Sequence, residues 1–269
     1  MAKIFIAGGQ WMDAATLEDS SAVAANYPLS NLLTIQPGEK TRFSTPAAAH
    51  VVVDLGAARA VDTVALIAHN ASAAGTWRVR GATSEANLTA SPGYDSGAGV
   101  SLWPASGKPD ANIHHSFLRL GSAQSYRWWR VDIADAGNAD GYFQLGRLLI
   151  AGAWAPAVNY SFGADIGWVD PSPIDEGVGG HSFPLEREKH RVFNLPFRFQ
   201  TKADAWGQAY ELQRKRGGSK DVFAVLDPDE DEYLHVVMVH GLLRGTITSI
   251  SNDFFQRYSF TLRIKELLP

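Results

Sequence analysis

The sequence predicts an all-β protein made of two β-sandwich domains, residues 1–155 and 156–269. Three observations carry this. Short runs rich in Val, Ile, Phe, Tyr and Trp recur from end to end, punctuated by Gly, Pro, Asn and Asp, while helical periodicity is scarce. The 269 residues suffice for two domains that each bury a core. The stretch Tyr126–Gly152 reads as two strands around a polar connector. In the first, Trp129, Val131 and Ile133 alternate with Trp128, Arg130 and Asp132. In the second, Phe143, Leu145 and Leu149 form one face and Tyr142, Leu148 and Ile150 the other. Both faces are apolar, which places this strand inside a sandwich or beneath a second layer.

Taken in order, the chain opens on a strand at Ile4–Ala7 and runs irregularly from Gln10 to Pro46. Strands follow at His50–Leu55, Thr63–His69 and Thr76–Gly81. Ala82–His115 reads as a loop holding two large aromatics, Tyr94 and Trp103, before a strand at Ser116–Leu120 and the Tyr126–Gly152 pair. In the second half, the Pro/Gly/acidic stretch Val169–His190 cannot build a core, and a loop of that length is functional or disordered. At Arg191–Phe199, Phe193, Leu195, Phe197 and Phe199 alternate with Val192, Asn194, Pro196 and Arg198. Pro196 lacks an N–H and marks an edge or a bulge. One flanking helix is predicted near 201–216: Thr201 caps it, Trp206 and Tyr210 meet at i,i+4, three basic residues end it and Gly217-Gly218 stops it. Strands at Asp221–Leu226, Tyr233–Gly241, Leu242–Ile250 and about Arg257–Lys265 close the chain.

Net charge is −4, and neither half has a basic excess: 11 Lys+Arg face 12 Asp+Glu up to Pro156, and 13 face 16 beyond it. Nucleic acid is therefore not an expected partner. The absence of cysteine excludes disulfides and thiolate metal sites. The opening apolar run is too short for a signal-peptide core or a membrane span, so folding in a cytoplasm without membrane insertion is expected.

No hydrolase elbow, zincin helix, phosphate loop or dinucleotide fingerprint is present, and no enzyme, cofactor or metal is expected. His114 and His115 are adjacent, but neighbouring strand residues point to opposite faces and would not share a metal. The acidic run Asp227–Glu232 lacks the glycine and terminal glutamate of a calcium loop and reads as a solvated hairpin tip. Asp54, Asp132 and Asp140 show no pairing of the kind glycan hydrolysis needs. Tyr94 and Trp103 are the candidate glycan contacts, since flat aromatics stack on the C–H faces of sugars. They read equally as satellite core or as contacts to a neighbouring subunit. Asp170, Ile174, Val178 and His181 mark a candidate assembly arm laid across a second protomer, against the alternative of a floppy connector.

Several pieces of the first half carry a resemblance. Ala25-Asn-Tyr-Pro-Leu-Ser-Asn-Leu-Leu, Val51-Val-Val-Asp-Leu-Gly, Val61-Asp-Thr-Val-Ala-Leu-Ile, Trp77-Arg-Val-Arg-Gly, Tyr126-Arg-Trp-Trp-Arg-Val-Asp-Ile and Gly146-Arg-Leu-Leu-Ile-Ala-Gly occur in the order found in discoidin domains. The first half thus resembles that galactose-binding-like family of jelly-roll sandwiches, without the terminal cysteine pair of its extracellular members. The form Trp128-Trp-Arg-Val-Asp-Ile with Asp140-Gly-Tyr-Phe-Gln-Leu-Gly-Arg-Leu looks like the variant in tail-tip proteins of long-tailed bacteriophages. The second half is similar in pattern to distal-tail and tail-tube proteins. The resemblance implies a virion protein assembled in a host cytoplasm, forming a ring with six-fold symmetry favoured over three-fold. That ring would join the tail tube to the hub or fibre, with possible host-glycan contact. The alternative it leaves open is a carbohydrate-binding module for host surface recognition.

Overall fold

A computed structural model of the chain describes residues 3–9, 11–103, 114–245 and 250–269. The chain is all-β in class, and it folds as two compact units. Met1–Ala155 and Lys220–His240, with Pro269, form the first; Pro156–Ser219 and Gly241–Leu268 form the second. The units thus depart from the division expected at residue 155, because Lys220–His240 returns to the first unit.

In the first unit the strands are β1 (Phe5–Gly8), β2 (Thr16–Ser20), β3 (Thr41–Phe43), β4 (Ala49–His69), β5 (Thr76–Ala82), β6 (Tyr94–Asp95), β7 (Val100–Ser101), β8 (His114–Ala134), β9 (Phe143–Leu145) and β10 (Arg147–Ala151). The main sheet runs β10-β4-β8-β5-β6, with β2 added to β4 and β7 to β5; β3 and β9 pair apart from it. The two strands expected at His50–Leu55 and Thr63–His69 are one long strand. β4 pairs with β8 along its length, with register shifts between Asp54 and Arg59 and between Val61 and Thr63. Those shifts absorb the exposed stretch Gly56–Ala60, which the apolar pattern alone reads as a gap.

The period of two decides what is buried. Trp129, Val131 and Ile133 enter a core shared with Val51, Val53, Trp77 and Val79, and with Phe43, Phe143 and Leu145 of the small sheet. The expected grouping of Leu149 with Phe143 and Leu145 is corrected. Leu148 and Ile150 join that core, and Leu149 faces a second one. The phase changes at Gly146, which separates β9 from β10 and donates its N–H to Ile67 O at 3.0 Å. A methyl there would lie 2.9 Å from Pro37 Cα and closer still to its carbonyl oxygen, so only glycine fits.

The second core explains the return of the chain. A strand at Asp221–Val225 pairs antiparallel with β1, Phe5 opposite Val225 and Gly8 opposite Val222. Phe5, Phe223, Val225 and Met238 then cover Ala65, Ile67 and Leu149 on the other face of the main sheet. The tie is also ionic. Arg147, fully buried, gives Nη2 to Asp221 Oδ1 at 3.0 Å and to Asp13 Oδ1 at 2.9 Å, and Nη1 to Leu33 O at 2.6 Å. Its Nε lies 2.5 Å from Asp221 Oδ2, an ion contact off the hydrogen-bonding axis. Asp221 Oδ2 also meets His240 Nε2 at 2.9 Å, and both residues are fully buried. The strand expected over Tyr233–Gly241 begins later: Leu234–Val237 is a helical turn, and the strand is Met238–Leu243.

The second unit holds β11 (Asp165–Val169), β12 (Ile174–Glu176), β13 (Ser182–Pro184) and β14 (His190–Gln200). With the two strands just given as β15 and β16, β17 (Ser251–Phe254) and β18 (Arg257–Glu266) complete the set. β18 pairs with β14, with β17 and with the Gly241–Leu243 end of β16, and β11 forms the edge beyond β14. Phe193, Leu195 and Phe197 point inward with Phe260, Leu262 and Ile264, and Phe197 stacks on Phe260 at 5.1 Å. The expected continuation to Phe199 fails: a bulge between Phe197 and Gln200 holds Phe199 at φ +59° and turns it outward. Pro196 lies where β11 has ceased to pair with β14, so its missing N–H costs no ladder bond on that side. The flanking helix is present as a π-helical segment, Ala203–Ala209, continuing into an α-helix, Tyr210–Arg216. Thr201 caps it through its Oγ1, which accepts from Asp204 N at 3.1 Å. Part of the Ala82–His115 loop and of the strand expected at Leu242–Ile250 lies outside the described residues.

Candidate functional site

Two surfaces stand out, one in each unit. In the first unit, the residues of β8 that face away from the core are Trp128, Arg130 and Asp132. Register places His50 and Arg78 on either side of Asp132, and Val52 and Arg80 on either side of Arg130. The alternation that buries one side of this sheet therefore builds a charged ladder on the other. Arg80 Nη2 donates to Asp132 Oδ2 at 2.6 Å and Arg130 Nε to Asp132 Oδ1 at 2.8 Å. Arg78 makes a two-pronged contact with Asp95, with Nε to Oδ1 at 2.8 Å. Hydrogen bonding from Arg78 is the main cause holding the Asp95 carboxyl below the usual carboxylate range. A cleft of about 550 Å³ opens here, walled by Ala48, His50, Trp77, Arg78, Arg130 and Asp132. Arg80 Nε is a buried donor beside it without a partner.

Three guanidiniums against two carboxylates leave a cation excess whose forked donors can span paired hydroxyls or a carboxylate. The sequence signal was present: Arg78 and Arg80, two residues apart, and Arg130 and Asp132, likewise, occupy the polar phase of two strands. That a single sheet face brings them together became visible only through the register.

Tyr94 and Trp103 are not one platform. Tyr94 pairs opposite Gly81, whereas Ser101, two residues before Trp103, pairs opposite Thr76, roughly 17 Å away along β5 at 3.3 Å per residue. Both pack against the first unit's core. Tyr94 lies against Trp129, and burial raises its phenol pKa. Trp103 donates Nε1 to Ala71 O at 2.8 Å, and its ring lies 4.2 Å from that of His114. The His114 ring thus lies on Trp103, while His115 Nδ1 accepts from Ala68 N at 3.0 Å.

Among the described residues no group of three or more His, Asp or Glu is placed to hold a metal ion. The acidic run spends its oxygens locally: Asp227 Oδ1 accepts from Asp229 N, and Glu230 Oε1 from Glu232 N and Tyr233 N. Asp54 takes a two-pronged bond from Arg127, and Asp140 accepts from Asn70 Nδ2 at 2.7 Å. No helix among the described residues is long and apolar enough to cross a membrane.

In the second unit the stretch Val169–His190 is ordered as a hairpin, β12 against β13, closed by Gly177 N to His181 O at 2.8 Å. Asp170 begins it with an Asx turn, accepting from Ser172 N, and that bonding with Ser172 lowers its pKa. Every residue from Asp170 to Lys189 is exposed except Ser172 and Gly177, which are partly so. Ile174 is 61 %, Phe183 63 %, Leu185 62 % and Val178 fully exposed. Of the large hydrophobic side chains exposed among the described residues, all but Tyr233 belong to the second unit.

Together these features define a β-sandwich with a charged cleft, followed in the chain by a sheet-and-helix unit with a large apolar surface. Several solved carbohydrate-binding proteins share partial structural similarity. The family 32 carbohydrate-binding module of C. perfringens NanJ, in complex with galactose, matches at TM-score 0.39 and 12 % identity over 55 % of this chain and 99 % of its own. A fucolectin from striped bass (Morone saxatilis) serum matches at 0.41 and 11 %, over 72 % and 71 %. A chitosan-binding module from Paenibacillus sp. IK-5 matches at 0.35 and 15 %, over 51 % and 92 %. No family model and no curated protein matches the sequence. Identity this low leaves no binding residue to carry across.

Proposed function

We propose that this chain is a non-catalytic structural protein that works by association, its second unit gathering copies of the chain while its first presents a binding surface. The observation that carries the reading is the partition of exposed apolar side chains, nearly all in the second unit. Exposed rings in contact, as at Phe199–Phe254 and Trp206–Tyr210, make apolar patches of the kind that mark interaction sites. Trp168 is 68 % exposed on β11, an edge strand exposed along its whole length, which is an open template for pairing. A tail-tip ring of a long-tailed phage, with tail-tube and hub partners, is the finer form of this reading. The arm and the N-terminal motifs support it. Size-exclusion chromatography with light scattering tests the assembly: a defined oligomer is expected, and a single-chain mass at every soluble concentration refutes it.

A second reading, a carbohydrate-binding module, is favoured by the cleft. Its forked cations, its paired carboxylate Asp132 and the unspent donor at Arg80 suit a polyhydroxylated ligand. Titration calorimetry against a glycan panel checks it. Binding lost in Arg130→Ala and kept in Trp103→Phe supports this site, and the reverse pattern moves it to the loop aromatics.

A further inference from the structure

Beside the arm, the second unit carries an aromatic patch that the assembly reading alone does not explain. At the far end of β14, Phe199 is 54 % exposed and held at φ +59°, a conformation that a bulky side chain adopts at an energetic cost. Its ring meets Phe254 at 6.4 Å. Trp206 meets Tyr210 at 5.8 Å and Tyr258 at 5.9 Å, and Tyr258 sits opposite Gln200 in the ladder, next to Phe199. Trp206, 43 % exposed, is therefore a surface residue, and Tyr258 is half-buried beside it. Phe254 is 67 % and Phe255 88 % exposed. Arg257 Nη1 donates to Phe199 O at 3.4 Å, Arg198 lies near Asp253, and Lys202 is exposed three residues after Phe199. The arm has the opposite balance: Asp170–Leu185 holds Asp170, Asp175 and Glu176 and no Lys or Arg.

We propose that the arm of one copy, Asp170–Leu185, seats on the Phe199–Trp206–Phe254 patch of a second copy, with Ile174, Phe183 and Leu185 against the rings and the acidic residues against the basic rim. The inference rests on the self-assembly reading and names the surface that receives the arm. Area supports it: half-exposed to fully exposed aromatic and aliphatic side chains supply roughly 500 Å² of apolar surface on each side. With their polar rims the two sides reach the ~1,200 Å² at which stable interfaces begin. The strain supports it independently, since a β-bulge that turns a phenylalanine into water serves packing only if something covers that ring. The contact is head-to-tail: each copy that gives its arm keeps its own patch open, so assembly continues until it closes as a ring.

The test uses the full chain in three forms, followed by sedimentation velocity and light scattering. The patch variant combines Phe199→Asn with Phe254→Glu; asparagine adopts the left-handed backbone more readily than phenylalanine, so loss of assembly is not loss of fold. The arm variant combines Phe183→Asp with Leu185→Asp, both exposed. Each variant alone is expected to fall to single-chain mass. Mixed, they are expected to form only a finite 1:1 dimer, through the one intact arm and the one intact patch. If the wild-type chain assembles and either variant assembles equally well, this pairing is wrong while the self-assembly reading stands. Two monomeric variants that fail to combine would overturn the head-to-tail arrangement. A monomeric wild type overturns both.

Discussion

Replacing Arg147 with methionine removes the cation that Asp221 was folded around. Arg147 and Asp221 are both fully buried, and His240 Nε2 also meets that carboxylate's Oδ2 at 2.9 Å. Arg147→Met fills most of the volume but takes a buried counter-charge from Asp221, and frees the carbonyls of Leu33 and Thr34 of their donor. Breaking a buried pair from one side costs about 3–5 kcal/mol, whereas replacing both partners by neutral groups costs far less. For a protein of this size, that loss is roughly a 10 °C drop in melting temperature. Urea unfolding followed by tryptophan fluorescence measures it. Limited proteolysis adds a local readout, because loosening the tie exposes the turn after β15, from Asp227 to Tyr233, to cleavage. The double variant Arg147→Met/Asp221→Asn is expected to recover about half or more of the single variant's loss. A single variant within about 1 kcal/mol of wild type, or a double variant whose cost is the sum of the two singles, would refute the account of this network as a mutually compensated charge cluster.

Other outcomes follow from the same geometry. Gly146→Ala is expected to cost about 1–3 kcal/mol or to prevent folding, since backbone at Pro37 must move; an unchanged denaturation midpoint would show that the phase change there is not sterically fixed. Trp103→Phe, which keeps the ring and loses the bond to Ala71 O, should cost about 1 kcal/mol, and Trp103→Ala about 2–4. If alanine there were neutral in thermal unfolding, Trp103 would be a free surface group after all. Acid is expected to weaken the fold through Asp54, whose carboxyl is held low chiefly by its hydrogen bonds from Arg127. A depressed folded-state pKa gives stability that is complete above the unfolded value near 4 and is lost as pH falls through the folded value. Asp54→Asn should therefore lower stability at neutral pH and flatten the acid limb below about pH 4; an unaltered limb in pH-dependent urea titrations would count against it.

The sequence speaks clearly where one period governs one face. Trp129, Val131 and Ile133 are core and Arg130 and Asp132 are not, because each pair of neighbours straddles a single ordinary sheet. Legibility fails where the period breaks. Gly146 shifts the phase between β9 and β10, and the bulge before Gln200 expels Phe199 from a row of inward phenylalanines; neither leaves a mark in hydropathy. Long-range ties are equally silent. Nothing near Asp221 announces that its partner is Arg147, 74 positions earlier in the chain. The stretch Val169–His190 was legible from composition as a segment unable to form a core, but the hairpin pairing within it was not. The charged cleft was written in the polar phases of β5 and β8, where reading for core residues passes over it.

The return of Lys220–His240 to the first unit has a practical consequence for dissection. A fragment cut after Ala155 would leave Arg147 without Asp221, though still with Asp13, and show bare the sheet face that Phe223 and Val225 cover. Such a fragment is expected to aggregate and to understate any affinity the cleft possesses. A graft that splices residues 220–240 behind residue 155 by a flexible linker is the smallest piece that keeps the first unit's own contacts. The first unit is discontinuous in sequence, so a single cut after residue 155 does not yield it whole.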